Sequence, residues 1–109
     1  MDKTIRITID NIKKAKDKKF VNETIDAIVD SLYDFSNVVS KIGLHREKEM
    51  FEINFILNVC KTGDLLQILI EQWLSCILQT EPKINVSIFS SEENDPYDIE
   101  LKLLTHLKS

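Results

Sequence analysis

The side chains best suited to catalysis or metal binding are few and widely spaced in this sequence. The two histidines, His45 and His106, and the two cysteines, Cys60 and Cys76, form no Cys-x-x-Cys pair and no His-Glu-x-x-His motif, so no zinc site is indicated. Joining a histidine to a cysteine as a nucleophilic pair would need a spatial contact that their spacing does not indicate. We therefore expect exposed histidines, buried free thiols, no bound metal and no catalytic residues.

Glycine usage excludes the common phosphate-binding loops. Gly43 and Gly63 are the only glycines of the chain, whereas dinucleotide-binding and nucleotide-binding loops need several within a few residues. We expect no cofactor, and we expect that the protein is not an enzyme.

Two charged segments could bind ions, but both lack the accompanying features. Segment 92-EENDPYD-98 offers carboxylates for calcium without the spacing or central glycine of an EF-hand loop, so a solvated turn is the simpler interpretation. The segment 11-NIKKAKDKK-19 carries five lysines and no aromatic residue that could stack on a base, and the net charge of the chain is −4. These features argue against nucleic acid as a partner.

Length and composition indicate one ordinary globular domain over residues 1–109. The chain is 43% hydrophobic and 29% charged, which is typical of a soluble folded protein. The N-terminus lacks the continuous apolar segment of a signal peptide, so we expect a cytoplasmic protein.

The most apolar stretch, 65-LLQILIEQWLSCIL-78, is too short and too interrupted by polar residues to cross a membrane. Successive residues of a helix are about 100° apart, which groups most of its apolar residues, Trp73 among them, into about half of the circumference. Thr62 is placed to cap this helix, and Pro82 prevents its continuation. So wide an apolar face could pack against the sheet and another helix, or could contact another chain; in the second case Leu66, Ile70 and Leu74 are the expected contact residues.

Other segments show strand or helix periodicity. Alternating apolar residues predict strands at 3–10, 50–58, 84–90 and 97–103, the last two forming a hairpin. Helical spacing from Asn22, as N-cap, to Gly43, as the C-terminal stop, predicts the other helix. The order β-α-β-α-β-β predicts an α+β two-layer sandwich, in which a small mixed sheet carries both helices on one face.

The predicted first helix carries a row of four acidic side chains that helix formation does not require. Glu23, Asp26, Asp30 and Asp34 fall within about 80° of its circumference. Like charges at these spacings disfavour the helix by about 0.2 to 0.5 kcal/mol per pair. The row is either a solvated ridge or a docking surface for a basic partner, which could be the lysine segment of another copy.

Three features together resemble a family of small bacterial adaptor modules, the effector-associated domains, and in particular their constant component. These are the N-terminal strand TIRITID, the helix entered through Thr62-Gly63-Asp64 with its Trp73-Leu74 pair, and the hairpin INVSIFS/YDIELKL that follows it. The chain differs in having Ser75-Cys76 after the Trp-Leu pair and Asn94-Asp95-Pro96 in the hairpin turn. The resemblance implies a non-enzymatic element that couples a sensor to an effector, through homotypic contacts, in a bacterial defence or conflict system.

The function expected from these observations is protein–protein interaction as an adaptor, with self-association as one form. The alternative is a small acidic inhibitor, similar to an antitoxin, that masks a basic surface of its target.

Overall fold

A computed structural model describes residues 2–58, 61–92 and 99–100 of the chain. In chain order the elements are β1 (Asp2–Asp10), α1 (Lys18–Asp34), β2 (Val39–Arg46), β3 (Phe51–Asn58), α2 (Lys61–Thr80), β4 (Asn85–Glu92) and β5 (Ile99–Glu100). A single 3-10 turn, Ile12–Lys14, lies between β1 and α1. The predicted turn at 93–98, Cys60, His106 and the predicted strand beyond Glu100 lie outside the described residues.

The strands form one sheet in the order β2-β3-β1-β4-β5, and every neighbouring pair is antiparallel. The α+β class and the two-layer arrangement are confirmed, whereas the mixed sheet is not. The connection from β1 through α1 leads to β2, which is not adjacent to β1 in the sheet. Strand β3 lies between them. Strands that run in the same direction are therefore never hydrogen-bonded neighbours.

Periodicity does not predict strand β2, because Val39 and Ile42 also fit the helical spacing of the first helix. Helix α1 ends at Asp34, and a turn closed by the bond from the Val39 N–H to the Phe35 carbonyl, 3.0 Å, leads into the strand. One extra residue between Ser40 and Gly43 shifts the register against β3, and Lys41 there has a left-handed φ of 52°. This β-bulge interrupts the alternation of side chains that identifies a strand.

Helix α1 also begins earlier than its periodicity predicted. Asp17, not Asn22, is the N-cap, and its carboxylate accepts a hydrogen bond of 3.0 Å from the Phe20 N–H. Lys18 and Lys19 of the lysine segment therefore belong to the first turn of the helix.

Alternate residues of the three central strands build one apolar sheet face. Ile7 of β1 lies between Ile53 of β3 and Ile88 of β4, and all three are essentially inaccessible to solvent. Both helices contribute to the same core cluster, with Ile25, Ile28 and Leu32 from α1 and Leu66, Leu74 and Ile77 from α2. Each such side chain contributes about 1.5 to 3 kcal/mol through burial. The prediction that two helices cover one sheet face is confirmed, and Trp73, partly buried, packs against this core.

Helix α2 matches its predicted range closely. It begins at Lys61, one residue before the expected cap, and ends at Thr80, two residues before Pro82. Within the described part of the chain, no helix is both long and apolar enough to cross a membrane.

Candidate functional site

The contact residues predicted on α2 lie in the protein core. Leu66 and Leu74 are 0% exposed and Ile70 is 4% exposed, because they face the sheet beneath the helix. The prediction that these three residues bind a partner is therefore wrong for this structure. The helical wheel identified an apolar arc, but it could not determine which part of that arc the sheet covers.

The apolar residues that α2 does expose are Leu65 and Ile68, with 54% and 49% of their surface accessible. They are three positions apart and therefore neighbours on the helix surface. Cys76, a free cysteine, is exposed, so the expectation of a buried thiol is wrong at this position. Ile68 lies among polar residues on the helical wheel, and that position was the available signal of an exposed apolar side chain.

The acidic row of α1 is exposed along its whole length. Glu23, Asp26, Asp30 and Asp34 all lie on the outer side of the helix. The Glu23 carboxylate lies 3.9 Å from the Lys19 ammonium; in the part of the chain that the structure describes, the three aspartates have no ion pair. The structure thus brings together all four predicted residues on one accessible face.

The charges of α1 also run against its dipole. Its first turn contains Lys18 and Lys19 but no acidic residue, and its last turn contains Asp34 but no basic residue. Helices are stabilised by the opposite arrangement, by about 0.3 to 1 kcal/mol per charge. The distribution of charges along α1 is therefore not explained by a contribution to the stability of the helix.

The two helices lie side by side and antiparallel, since each returns over the strand that precedes it and β1 and β3 are antiparallel. A buried carboxylate confirms this alignment: Glu81, just after α2, accepts hydrogen bonds from the backbone N–H groups before α1, Lys16 at 2.7 Å and Asp17 at 2.9 Å. The C-terminal end of α1 therefore lies at the same end of the strands as the N-terminal end of α2. The outward surface of the two helices, which we call the helix face, includes the acidic row and Tyr33 on α1 and Leu65 and Ile68 on α2.

A basic cleft lies at the other end of α1. It has a volume of about 230 Å³, and its walls come from three segments: the 3-10 turn, the first turns of α1, and the end of β2 with the turn that follows. The lining residues are Ile12, Lys13, Lys18, Asn22, Arg46, Glu47 and Lys48. Of the four cationic lining residues, only Lys13 and Lys18 belong to the basic segment noted in the sequence. Arg46 and Lys48 join them through the fold, which no local pattern indicates.

The sheet face opposite the helices is mainly polar. Arg6 of β1 lies with its guanidinium carbon 4.8 Å from the ring centroid of Phe89, its cross-strand neighbour on β4. Nearby, the Asn54 amide donates a hydrogen bond of 3.4 Å to Glu52. These side chains satisfy one another, so this face is a weaker candidate than the helix face or the cleft.

Histidine and metal chemistry find little support among the described residues. His45 is exposed, as expected, and its Nε2 lies 3.1 Å from a carboxylate oxygen of Glu47. Within residues 2–58, 61–92 and 99–100, no three His, Cys, Asp or Glu side chains are grouped so that they could hold a metal ion.

No protein-family model matches the chain, and no curated protein matches its sequence. Similar solved structures include two de novo designed proteins. One, named Foldit4, is 15% identical with a TM-score of 0.53, over 86% of this chain and 100% of that one. The other, with a ferredoxin fold, is 12% identical with a TM-score of 0.53, over 89% of this chain and 90% of that one. At these identities the similarity shows a ferredoxin-like α+β fold and carries no information on activity.

Proposed function

We propose that this chain is a non-enzymatic protein-interaction module that binds other protein chains, further copies of itself included, through the helix face. The observation that carries the proposal is the exposure of Leu65 and Ile68 on α2, on the outward surface that also includes the acidic row of α1. Exposed apolar side chains with a charged margin are typical of protein interfaces.

Tyr33 adds to the apolar area available on this face. It is 57% exposed on α1, and tyrosine is enriched among the residues that dominate binding energy at interfaces. Around it the acidic row would contribute orientation and specificity more than affinity, because exposed charges are well screened by water and salt.

The resemblance to effector-associated domains supports the same proposal and extends it. It implies homotypic contacts between a sensor and an effector in a bacterial defence or conflict system. Of the segments on which it rests, TIRITID lies in β1 and the Trp73-Leu74 pair in α2.

Sedimentation equilibrium of the purified chain at about 0.15 M salt tests this proposal. We expect reversible self-association that weakens in the double variant Leu65→Ser and Ile68→Ser. Loss of about 1 kcal/mol of apolar burial per residue corresponds to about thirtyfold in the dissociation constant. Leu44→Ser is the matched control, because Leu44 is 48% exposed but lies on β2, away from the helix face.

A chain that remains monomeric at all accessible concentrations would contradict self-association, and equal effects of the Leu44 and Leu65/Ile68 changes would contradict the helix face as the interface.

The alternative function, an acidic inhibitor that masks a basic surface, is supported by the acidic row alone. It differs in a measurable way, since such a protein is monomeric and its binding to a basic target falls steeply with salt. Binding that survives high salt but is lost with Leu65 and Ile68 would favour the interaction module over the inhibitor.

A further inference from the structure

The basic cleft is a concave site whose walls are held in place by the backbone. The N–H of Ile12 donates to the carbonyl of Glu49 at 2.9 Å, which ties the 3-10 turn to the turn between β2 and β3. That second turn is closed by the bond from the Glu47 N–H to the Met50 carbonyl, 2.8 Å. The cleft therefore exists before any ligand arrives.

Arg46 is pre-oriented at the edge of this cleft. Its guanidinium carbon lies 4.9 Å from the ring centroid of Phe51, a buried residue, and its Nη1 donates to the Asn22 side-chain oxygen at 3.3 Å. This is the one hydrogen bond that Arg46 makes with its side chain among the described residues. Most of the five guanidinium N–H donors are thus available to an acceptor in the cleft.

The local charge is strongly positive although the whole chain carries −4. Four of the lining side chains are cationic and one, Glu47, is anionic. The Glu47 carboxylate contacts His45 at 3.1 Å, and Lys13 is partly neutralised by Glu49 at 2.9 Å. Lys18, Arg46 and Lys48 make no ion pair within the described residues, so a positive excess remains.

We propose that this cleft binds the phosphate group of a small phosphomonoester. A phosphate dianion supplies the charge that three unpaired cations require, and its oxygens match the fork of a guanidinium held against an aromatic ring. The volume of about 230 Å³ leaves room for a small organic group attached to the phosphate. The site is separate from the helix face, so this proposal goes beyond the interaction function and does not depend on it.

Titration of the ¹⁵N-labelled full chain, followed by amide NMR at about 0.02 M ionic strength, tests the site. The probes are inorganic phosphate and ribose 5-phosphate, with potassium chloride at equal ionic strength as the blank. We expect saturable shifts confined to the residues lining the cleft, with a dissociation constant on the order of 1 mM for inorganic phosphate and tighter binding of the ester. Shifts that chloride reproduces, or that spread over all lysines, would overturn the proposal.

Arg46→Gln and Lys48→Gln should each weaken ribose 5-phosphate binding about tenfold, since each removes a charge-assisted contact. Lys48 makes no hydrogen bond with its side chain among the described residues, so its replacement tests the site without risk to the fold. Lys41→Gln is the control, because it removes the same charge from the bulge of β2, outside the cleft. Equal affinity in the Lys48 and Lys41 variants would refute the assignment.

Two further measurements identify competing occupants. A single-stranded oligonucleotide that binds the cleft more tightly than ribose 5-phosphate, with a steep salt dependence, would assign the cleft to a nucleic-acid backbone instead. Shifts that follow protein concentration and vanish on Asp30→Asn and Asp34→Asn would assign it to the acidic row of a second copy. Either result overturns the phosphomonoester proposal.

Discussion

Glu81 joins the end of α2 to the beginning of α1 through a buried carboxylate, and replacing it should strongly destabilise the fold. Its side chain is 1% exposed, and its two oxygens accept one backbone N–H each, from Lys16 at 2.7 Å and from Asp17 at 2.9 Å. Asp17 is also the N-cap of α1. The carboxylate thus fixes the segment that starts the helix.

The expected loss follows from the two hydrogen bonds. A hydrogen bond to a charged group contributes about 1.5 to 3 kcal/mol. Glu81→Gln preserves shape but directs an amide NH₂ toward one of the N–H donors, so we expect a decrease of about 1.5 to 3 kcal/mol in the free energy of unfolding. Glu81→Ala leaves both donors without an acceptor, and we expect a loss of about 3 to 5 kcal/mol. These are large fractions of the roughly 5 to 15 kcal/mol that stabilise a typical domain.

Urea unfolding followed by circular dichroism measures these differences. Glu71→Gln is the matched control, because it makes the same change on α2 where the structure shows no hydrogen bond to the carboxylate, and we expect it to alter stability by less than about 0.5 kcal/mol. If Glu81→Gln is as stable as the Glu71 variant, the buried carboxylate does not hold the helices as described.

Three smaller changes test other parts of the fold by the same unfolding assay. Asp17→Ala removes the cap of α1 and should lower the free energy of unfolding by about 1 kcal/mol, whereas an unchanged value would mean that the cap contributes nothing. Asp34→Asn should raise it by about 0.3 to 1 kcal/mol, because it removes a negative charge from the C-terminal end of α1; a decrease would show that the carboxylate has a stabilising partner. Lys41→Gly should raise it by roughly 0.5 kcal/mol, since relief of the left-handed backbone exceeds the added chain entropy, and marked destabilisation would contradict the bulge.

Much of the fold follows from periodicity in the sequence. Strands β1, β3 and β4 have one face on the core and the other polar, so their side chains alternate cleanly. Helix α2 combines a broad apolar arc with a proline beyond its end. Where the physical pattern is regular, the sequence prediction was correct.

The missed elements are those in which a local irregularity or a distant contact decides the structure. The bulge at Lys41 breaks the alternation of β2, and Val39 happens to lie seven residues after Leu32, a spacing that also fits a helix. Glu81 looks like an ordinary polar residue after a helix, because its partners are more than sixty positions away. Because β2 is not predicted, a mixed sheet is expected, whereas with β2 in place every neighbouring pair of strands is antiparallel.

The candidate sites show the same limit. The acidic row could be predicted because its four members lie on one helix face, but the exposed part of α2 could not, since burial depends on which side meets the sheet. Leu66 is expected at an interface but lies in the core. Ile68, which is not among the expected contact residues, is exposed. Arg46 and Lys48 join the lysines of the basic cleft only after the β2–β3 hairpin has formed.

Cross-saturation NMR between labelled and unlabelled copies of the chain tests most directly whether the helix face is the interface. Irradiation of the unlabelled copy should reduce amide signals of α1 and α2 around Tyr33, Leu65 and Ile68, and leave those of β2 and the open sheet face unchanged. Transfer concentrated on the edge strand β2 or around Arg6, with none on the helices, would contradict the account.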